Sequence, residues 1–520
     1  MSEIDRNLKG PGNHFRGRLL ATLIASAIVA SLMMTMLIAP APSEDNPPAP
    51  NVPARISYTT HAPININQDS GFTFSNSSTG IGTGSGTESD PYVISGWEID
   101  AAGGGYAIVI QGSNVFFRIT GCYLHGATNP SSGNGIWLNN VRNGTLIDNS
   151  CSGNECGIDV EYSSNITIVN CTCTNNNYFG IFLKSSFNNI IAGNDCSGNK
   201  NGLDLGYQCE NNTISGNNCS FNTWDGITLA GSGNDTAFDN DCFENSQSGI
   251  HIYRVDYGET LFNNSCIKNG WNGICVDGSS SNDIIGNDCL GNWMSGILLE
   301  YYFEPCNSNV LLNNNCSNLN ENGISLSPFC NYSIISNNHC DDNKIFGFYI
   351  NASSYNTIEN NTCNNKDRYQ EDVGMLIYQD SRYNNISNNF FANNTLQGIH
   401  ISTSTVTNNR IWNNTFYHNN GAVDIYDPDH VQAVDHGINN WWNTSGTPHG
   451  YGNWWSDWRA PDDNWDGIVD NPYNISGTAG ANDSYPQTIP GTPIPEPPIL
   501  ILAGIMVLAF VMIGMTRRKL

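Results

Sequence analysis

Positive charge is scarce in this sequence: 20 Lys and Arg stand against 47 Asp and Glu in 520 residues, a formal net charge of -27. So acidic a chain repels phosphate backbones and anionic lipid surfaces, which excludes nucleic acid as a partner and leaves cations or neutral sugars. Helical periodicity is missing too. No stretch of ten or more residues recurs with apolar positions three and four apart, which excludes leucine-rich and helical repeats. Long apolar runs occur only near the two ends, at Leu19–Ala39 and Ile499–Met515. The ten His are scattered and meet no Cys-Met cluster, so no convergent soft-metal site is legible.

What the sequence does have is a beat. A Gly followed by an apolar alternation falls at Gly135, Gly157, Gly180, Gly202, Gly226, Gly249, Gly273, Gly296, Gly323, Gly347, Gly374 and Gly398, with Ala422 in the Gly place of the last copy. A second row keeps the same period, from Cys151, Cys173 and Cys196 to Cys340 and Cys363, and is continued by Phe391 and Phe416. Two ladders in phase signify stacked repeats. Short strands with Asn and Gly at the corners predict a coil of three strands, in which the residue after each Gly and the one two beyond it point inward. Asn stands three residues after the Cys row from Asn154 to Asn419, broken at Leu319 and Lys366 beside the two longest steps, where outward loops are expected.

Seventeen Cys in an exported chain would suggest a disulfide scaffold. Equivalent positions on parallel strands point the same way and rarely meet disulfide torsions, so the row reads as small buried thiols. Off the row, Cys306 and Cys330 each precede a row Cys by ten residues in adjacent copies and are the best disulfide candidates.

Residues 1–41 combine Lys9, Arg16 and Arg18 with the first apolar run and read as a signal peptide or signal anchor. A Pro-rich linker, 42–57, follows. Residues 58–126 are expected to form an N-terminal cap and first coil, 127–426 the repeats, 427–486 a Trp-rich C-terminal cap, 487–498 a Pro-rich stalk, and 499–520 a transmembrane or sorting tail with Arg517, Arg518 and Lys519 behind it. Sequons such as Asn165, Asn234, Asn331, Asn385, Asn443 and Asn474 are glycan acceptor candidates.

Two places carry candidate chemistry. Asp462, Asn464, Asp466, Asp470 and the Ile468 carbonyl have the spacing of a loop that wraps Ca2+, with Gly467 at the turn and Tyr473 where a bidentate Glu usually stands. The outward positions of the Gly-led strands hold Asp204, His251, Tyr253, Asp277, Glu300, Tyr349 and Tyr378, with Tyr301 and Tyr302 beside Glu300. Asp277 and Glu300 form the one close carboxylate pair, the arrangement that an acid and base acting on a sugar would need. A glycan-binding face and a plain solvated face remain alternatives.

Gly84-Ser85-Gly86-Thr87 through Pro91-Tyr92-Val93-Ile94, the Asn-x-Cys and Gly-Ile repeat, and the closing Asn453-Trp454-Trp455-Ser456-Asp457 with Asp466-Gly467-Ile468-Val469-Asp470 together resemble the NosD-like right-handed parallel β-helix family of archaeal surface proteins, over roughly residues 58–488. Pro495-Glu496-Pro497, the apolar run and the basic end are similar to a PEP-CTERM-type sorting signal, which implies sortase-type processing. The resemblance implies an all-β, right-handed parallel β-helix of about 13 coils, capped at both ends, with hydrophobic helices at the termini. One branch of that family handles copper in the periplasm, which the scattered ligands of this chain do not support. The expected protein is a non-catalytic, membrane-tethered cell-surface scaffold with Ca2+ as its metal and envelope glycans or surface proteins as partners. A polysaccharide lyase or glycoside hydrolase and a copper-handling protein are the alternatives.

Overall fold

The structure, a computed structural model, describes residues 58–72, 78–254, 258–365, 372–444 and 451–490. The signal segment, the linker up to residue 57, most of the stalk, the sorting tail and Lys366 lie outside the described residues. Among the described residues no helix is long and apolar enough to cross a membrane. The chain divides into two compact units, Met1–Ile334 and Ile335–Leu520, and each is built as an all-β solenoid.

In the first unit the Gly-led strands Asn134–Asn139, Cys156–Glu161, Phe179–Lys184, Asn201–Gly206, Ile227–Ala230, Ile250–Tyr253, Ile274–Asp277 and Ile297–Glu300 pair in parallel, each with the next. Alternation sends Ile158, Val160, Ile181, Leu183, Ile227 and Leu229 into a fully buried core, as their spacing predicts. The Gly of the beat has a steric cause. A Cβ on Gly202 would stand 2.6 Å from the Gly226 carbonyl oxygen and 2.8 Å from Asn222 Nδ2, so the next turn can approach only a residue without a side chain.

A second sheet runs through Thr167–Val169, Ile190–Ala192 and Thr213–Ser215 and their successors. The third face departs from expectation. Among the described residues of the first unit it holds strands near its start, at Thr59–Thr60, Trp97–Asp100, Tyr123–His125 and Ser150–Ser152, and then continues as single bridges such as Asp195 to Asn218 and Asn218 to Asp241, with paired strands again in the second unit from Thr362–Asn364 to Trp454–Trp455. The Cys row lies between two Asn columns whose amides take over the coil-to-coil hydrogen bonds. The expected column links Asn176 N–H to Asn199 Oδ1 at 2.8 Å and Asn199 N–H to Asn222 Oδ1 at 2.9 Å. Another, two residues before the Cys, runs through Asn194, Asn217, Asn240 and Asn264. A third passes through Asn189 and Asn212.

The entry region is more than a cap. Ile64–Asn67 already pairs with Tyr106–Gln111, and Tyr92–Ser95 with Phe117–Thr120, so the stack starts inside it. The short strand Ile81–Thr83 lies antiparallel on Tyr92–Ser95 and closes that edge.

In the second unit the Gly-led strands are Phe346–Asn351, Val373–Tyr378, Ile399–Ile401 and Ala433–Asp435. Gln432, not Ala422, therefore takes the Gly place of the last copy, with Ala433 in register with Ile399. Ala422 follows the 3-10 turn Asn419–Gly421, and Val423 and Ile425 are exposed, because the column at Asn419 passes its hydrogen bond to Gln432 Oε1 at 3.1 Å. The expected break at Lys366 is also absent: Asn365, one residue earlier, accepts from Asn343 N–H at 3.0 Å and donates to Asn394 Oδ1 at 2.9 Å. The Cys row ends in aromatic rings. Cys363, Phe391, Phe416 and Trp455 are in register, and Trp455 stacks on Tyr473 at 4.0 Å. This is the aromatic closure expected of residues 427–486, although Trp465 points into solvent at 89% exposure.

All seventeen Cys are buried thiols outside any disulfide. Cys306 and Cys330, the disulfide candidates, are neighbouring thiols rather than a bridge. Cys306 Sγ donates to Ser279 O at 3.1 Å and Cys330 Sγ to Leu299 O at 3.3 Å, and burial beside Cys306 raises the Cys330 thiol pKa.

Candidate functional site

The outward residues of three consecutive Gly-led strands assemble the site. Tyr253, Asp277 and Glu300 are in register, and so are His251 and Cys275. The residue just before each Gly faces the same way. Asp225, before Gly226, accepts from Ser248 N–H at 2.8 Å and lies 3.4 Å from His251 Nδ1. Asn201 uses the same position to donate to Asp204 Oδ2 at 3.0 Å.

The electrostatics follow from burial among like charges. Burial opposes a charge on His251, but Asp225, Asp277 and Glu300 outweigh it and raise the imidazole pKa. Asp277 is pushed up to about 6 by burial and by Glu300, with His251 and Arg254 working against them. Asp204 rises to about 7, mainly through burial. Burial and Glu300 keep Cys275 a thiol, which donates to Glu300 Oε1 at 3.5 Å. Among the described residues two buried polar atoms here have no hydrogen-bond partner, His251 Nε2 and Asp277 Oδ1.

One side of the site is a wall of rings supplied by the loop that lengthens this turn. Tyr302 stands 6.0 Å from Tyr253 and packs edge-on against Phe303 at 4.3 Å, while the Arg254 guanidinium lies 4.2 Å over Phe303. Tyr301, Tyr302 and Phe303 are about half exposed. The arrangement offers acceptors, an imidazole and apolar ring faces to a polar ligand.

His251, Tyr253, Asp277 and Glu300 are thus brought together, Tyr301 packs edge-on against Phe329 at 5.3 Å, and Asp204 lies two turns from His251 in the same column. Tyr349 and Tyr378 belong to the second unit, where Tyr349 stacks on Phe346 at 5.7 Å. Asp225, Arg254, Cys275 and Phe303 were missed. Strict alternation back from the outward Thr228 gives Gly226 and Trp224, so it could not find Asp225, and Phe303 lies in a loop without a period.

The Asp462–Asp470 loop has the turn its spacing predicts, with Gly467 at φ 85°. Its oxygens are engaged within the loop: Asp462 Oδ2 accepts from Gly467 N–H at 3.1 Å, Asp466 Oδ1 from Ile468 N–H at 2.9 Å and Asp470 Oδ2 from Asp463 N–H at 2.8 Å. Among the described residues no three His, Cys, Asp or Glu side chains are placed to hold a metal together.

Solved structures similar to this chain include the A-module of the Azotobacter vinelandii mannuronan C-5 epimerase AlgE4, at 17% identity over 56% of this chain and 87% of that one, with a TM-score of 0.42. The siphovirus 9NA tailspike receptor binding domain matches at 10% identity over 65% and 73%, TM-score 0.44, and the periplasmic alginate epimerase AlgG at 16% over 55% and 77%, TM-score 0.33. These likenesses concern the β-helix fold alone. No curated protein sequence matches significantly. The family described as "Periplasmic copper-binding protein (NosD)", an exported family, matches residues 106–298 and 294–460, the greater part of the chain, and the chain belongs to it.

Proposed function

We propose that this protein is a non-catalytic surface scaffold that binds envelope glycans through the face around His251. The carrying observation is the pair of buried, unpartnered atoms His251 Nε2 and Asp277 Oδ1 beside the exposed rings of Tyr301, Tyr302 and Phe303. Sugar hydroxyls both donate and accept, so they satisfy an unpartnered acceptor and an imidazole nitrogen together, while their CH faces pack on rings. Four acids around the site, Asp204, Asp225, Asp277 and Glu300, favour neutral or amino sugars over uronates. A glycan array probed with the full-length protein tests this: neutral or amino glycans bind and His251→Ala loses them, whereas an array empty of both classes rejects the reading.

One observation favours a catalytic alternative. Asp277, with its pKa near 6 beside Glu300, has the protonation behaviour of a general acid next to a carboxylate base. Cleavage of a polysaccharide that Asp277→Asn and Glu300→Gln abolish would establish a lyase or glycosidase.

The family description implies copper, and the residues do not fit it. The thiols are buried in the core, and desolvation raises the pKa of Cys173, Cys242, Cys266 and Cys289. His251 Nδ1 faces Asp225, and no donor set of three converges among the described residues. We assign Ca2+ to the Asp462–Asp470 loop on its spacing, and membrane attachment with sortase-type processing to the C-terminal segment on its Pro-Glu-Pro, apolar and basic order.

A further inference from the structure

At the corner leading into the Gly-led strands of the first unit, one residue per turn forms a straight backbone ladder. Lys200 N–H donates to Tyr178 O at 3.0 Å, Trp224 N–H to Lys200 O at 2.8 Å, Gln247 N–H to Trp224 O at 3.1 Å and Trp271 N–H to Gln247 O at 3.0 Å. Over these five turns aromatic and polar side chains alternate, and the alternation ends where the ladder continues to Met294 and Glu321. Tyr178, Trp224 and Trp271 are 43%, 45% and 48% exposed, so their rings are open to a ligand. The Lys200 ammonium lies 3.6 Å from the Trp224 ring centre and 5.0 Å from that of Tyr178, a donor held between two rings.

We propose that this row is a second binding site, whose ligand is an extended β-1,4-linked neutral polysaccharide. Turns stack at about 4.8 Å, so rings on alternate turns recur at about 9.6 Å. In such a glycan each sugar is flipped relative to the last, so the same face returns every second sugar, at a repeat close to two turns. One sugar then matches one turn. Every second sugar packs its CH face on a ring, and those between meet Lys200 and Gln247, whose side chains bond hydroxyls. The net charge of -27 excludes polyuronates as the occupant. The row uses none of the residues of the His251 face, although Trp224 directly precedes Asp225.

The test is retention of the full-length protein by insoluble cellulose, chitin and β-mannan. The wild type is retained by at least one of the three. A Trp224→Ala/Trp271→Ala double variant loses at least about tenfold in affinity with an unchanged melting temperature, and His251→Ala keeps it. The double variant with Phe at both places retains binding, which guards against a folding defect. Affinity for soluble oligosaccharides of the retaining polymer rises from the disaccharide to the pentasaccharide, because Tyr178 to Trp271 spans five turns. No retention on any of the three polymers, unchanged retention in the Ala variant, or affinity independent of chain length overturns the proposal.

Discussion

Asn453 donates its backbone N–H to Asp483 Oδ2 at 2.6 Å, and with that bond an Asn column ends on a carboxylate. The columns are polar. Each Asn gives its N–H, and often its Nδ2, to Oδ1 of the next turn, as Asn389 does to Asn414 and Asn414 to Asn453. The last turn therefore needs a group that accepts and has nothing left to donate. Asp483 ends one column, Asp435 accepts from Asn440 Nδ2 at 3.2 Å in another, and Gln432 Nε2 passes the third to Asp457 Oδ1 at 2.6 Å.

Asp483 also accepts from Trp455 Nε1 at 3.0 Å and Tyr485 N–H at 3.1 Å. Replacing it with Ala strands several buried donors, and the expected loss is about 3 kcal/mol of stability. Chemical denaturation at pH 8 measures it. A loss below about 0.5 kcal/mol, the scale of an ordinary surface substitution, contradicts the role of chain terminator.

Asp235 breaks one column from within. Asn212 N–H donates to its Oδ1 at 2.6 Å, and its own N–H donates to Glu259 Oε2 at 2.6 Å, so two acids occupy successive Asn places. Burial raises Asp235 to about 7, with Asn212 and Ser232 opposing and Glu210 assisting. The native state thus holds a proton that the unfolded chain releases near pH 4, and stability falls as pH rises from there to about 7. Asp235→Asn restores the amide and stabilises the protein at pH 8 by on the order of 2 kcal/mol, a gain that shrinks towards pH 4. Melting curves across that range check it, and a gain that grows on acidification reverses the assignment.

Thiol counting examines the free Cys row. A small maleimide labels no cysteine in the native protein and all seventeen after unfolding without reductant. Fifteen labelled thiols, seventeen less two, would restore a Cys306–Cys330 bridge.

Calorimetry with Ca2+ examines the Asp462–Asp470 loop. One site is expected in the wild type and none in Asp466→Ala. An unchanged isotherm in the variant removes the ion from the loop.

The scaffold was legible because each turn repeats the same constraints. Gly202 must lack a side chain, Leu203 and Leu205 must be apolar, and Cys219 must fit a narrow row, so period and alternation report them directly. Ala422 misled because the last copy is interrupted by residues 423–431, and only the hydrogen bond from Asn419 to Gln432 reveals where the column resumes. The site was half legible. Asp277 and Glu300 follow from alternation, but Arg254 follows its strand and Phe303 sits in a loop. No repeat constrains either position; the Arg254 guanidinium over Tyr253 and Phe303, and Phe303 against Tyr302, join them to the site.

The central claim, that the face around His251 binds a glycan, is tested most directly by titration calorimetry with the best neutral or amino glycan from the array, comparing full-length wild type with His251→Ala and Tyr302→Ala. The account predicts saturable binding in the wild type and a loss of about tenfold or more in each variant, with intact melting temperatures. Equal affinity in all three proteins would contradict it.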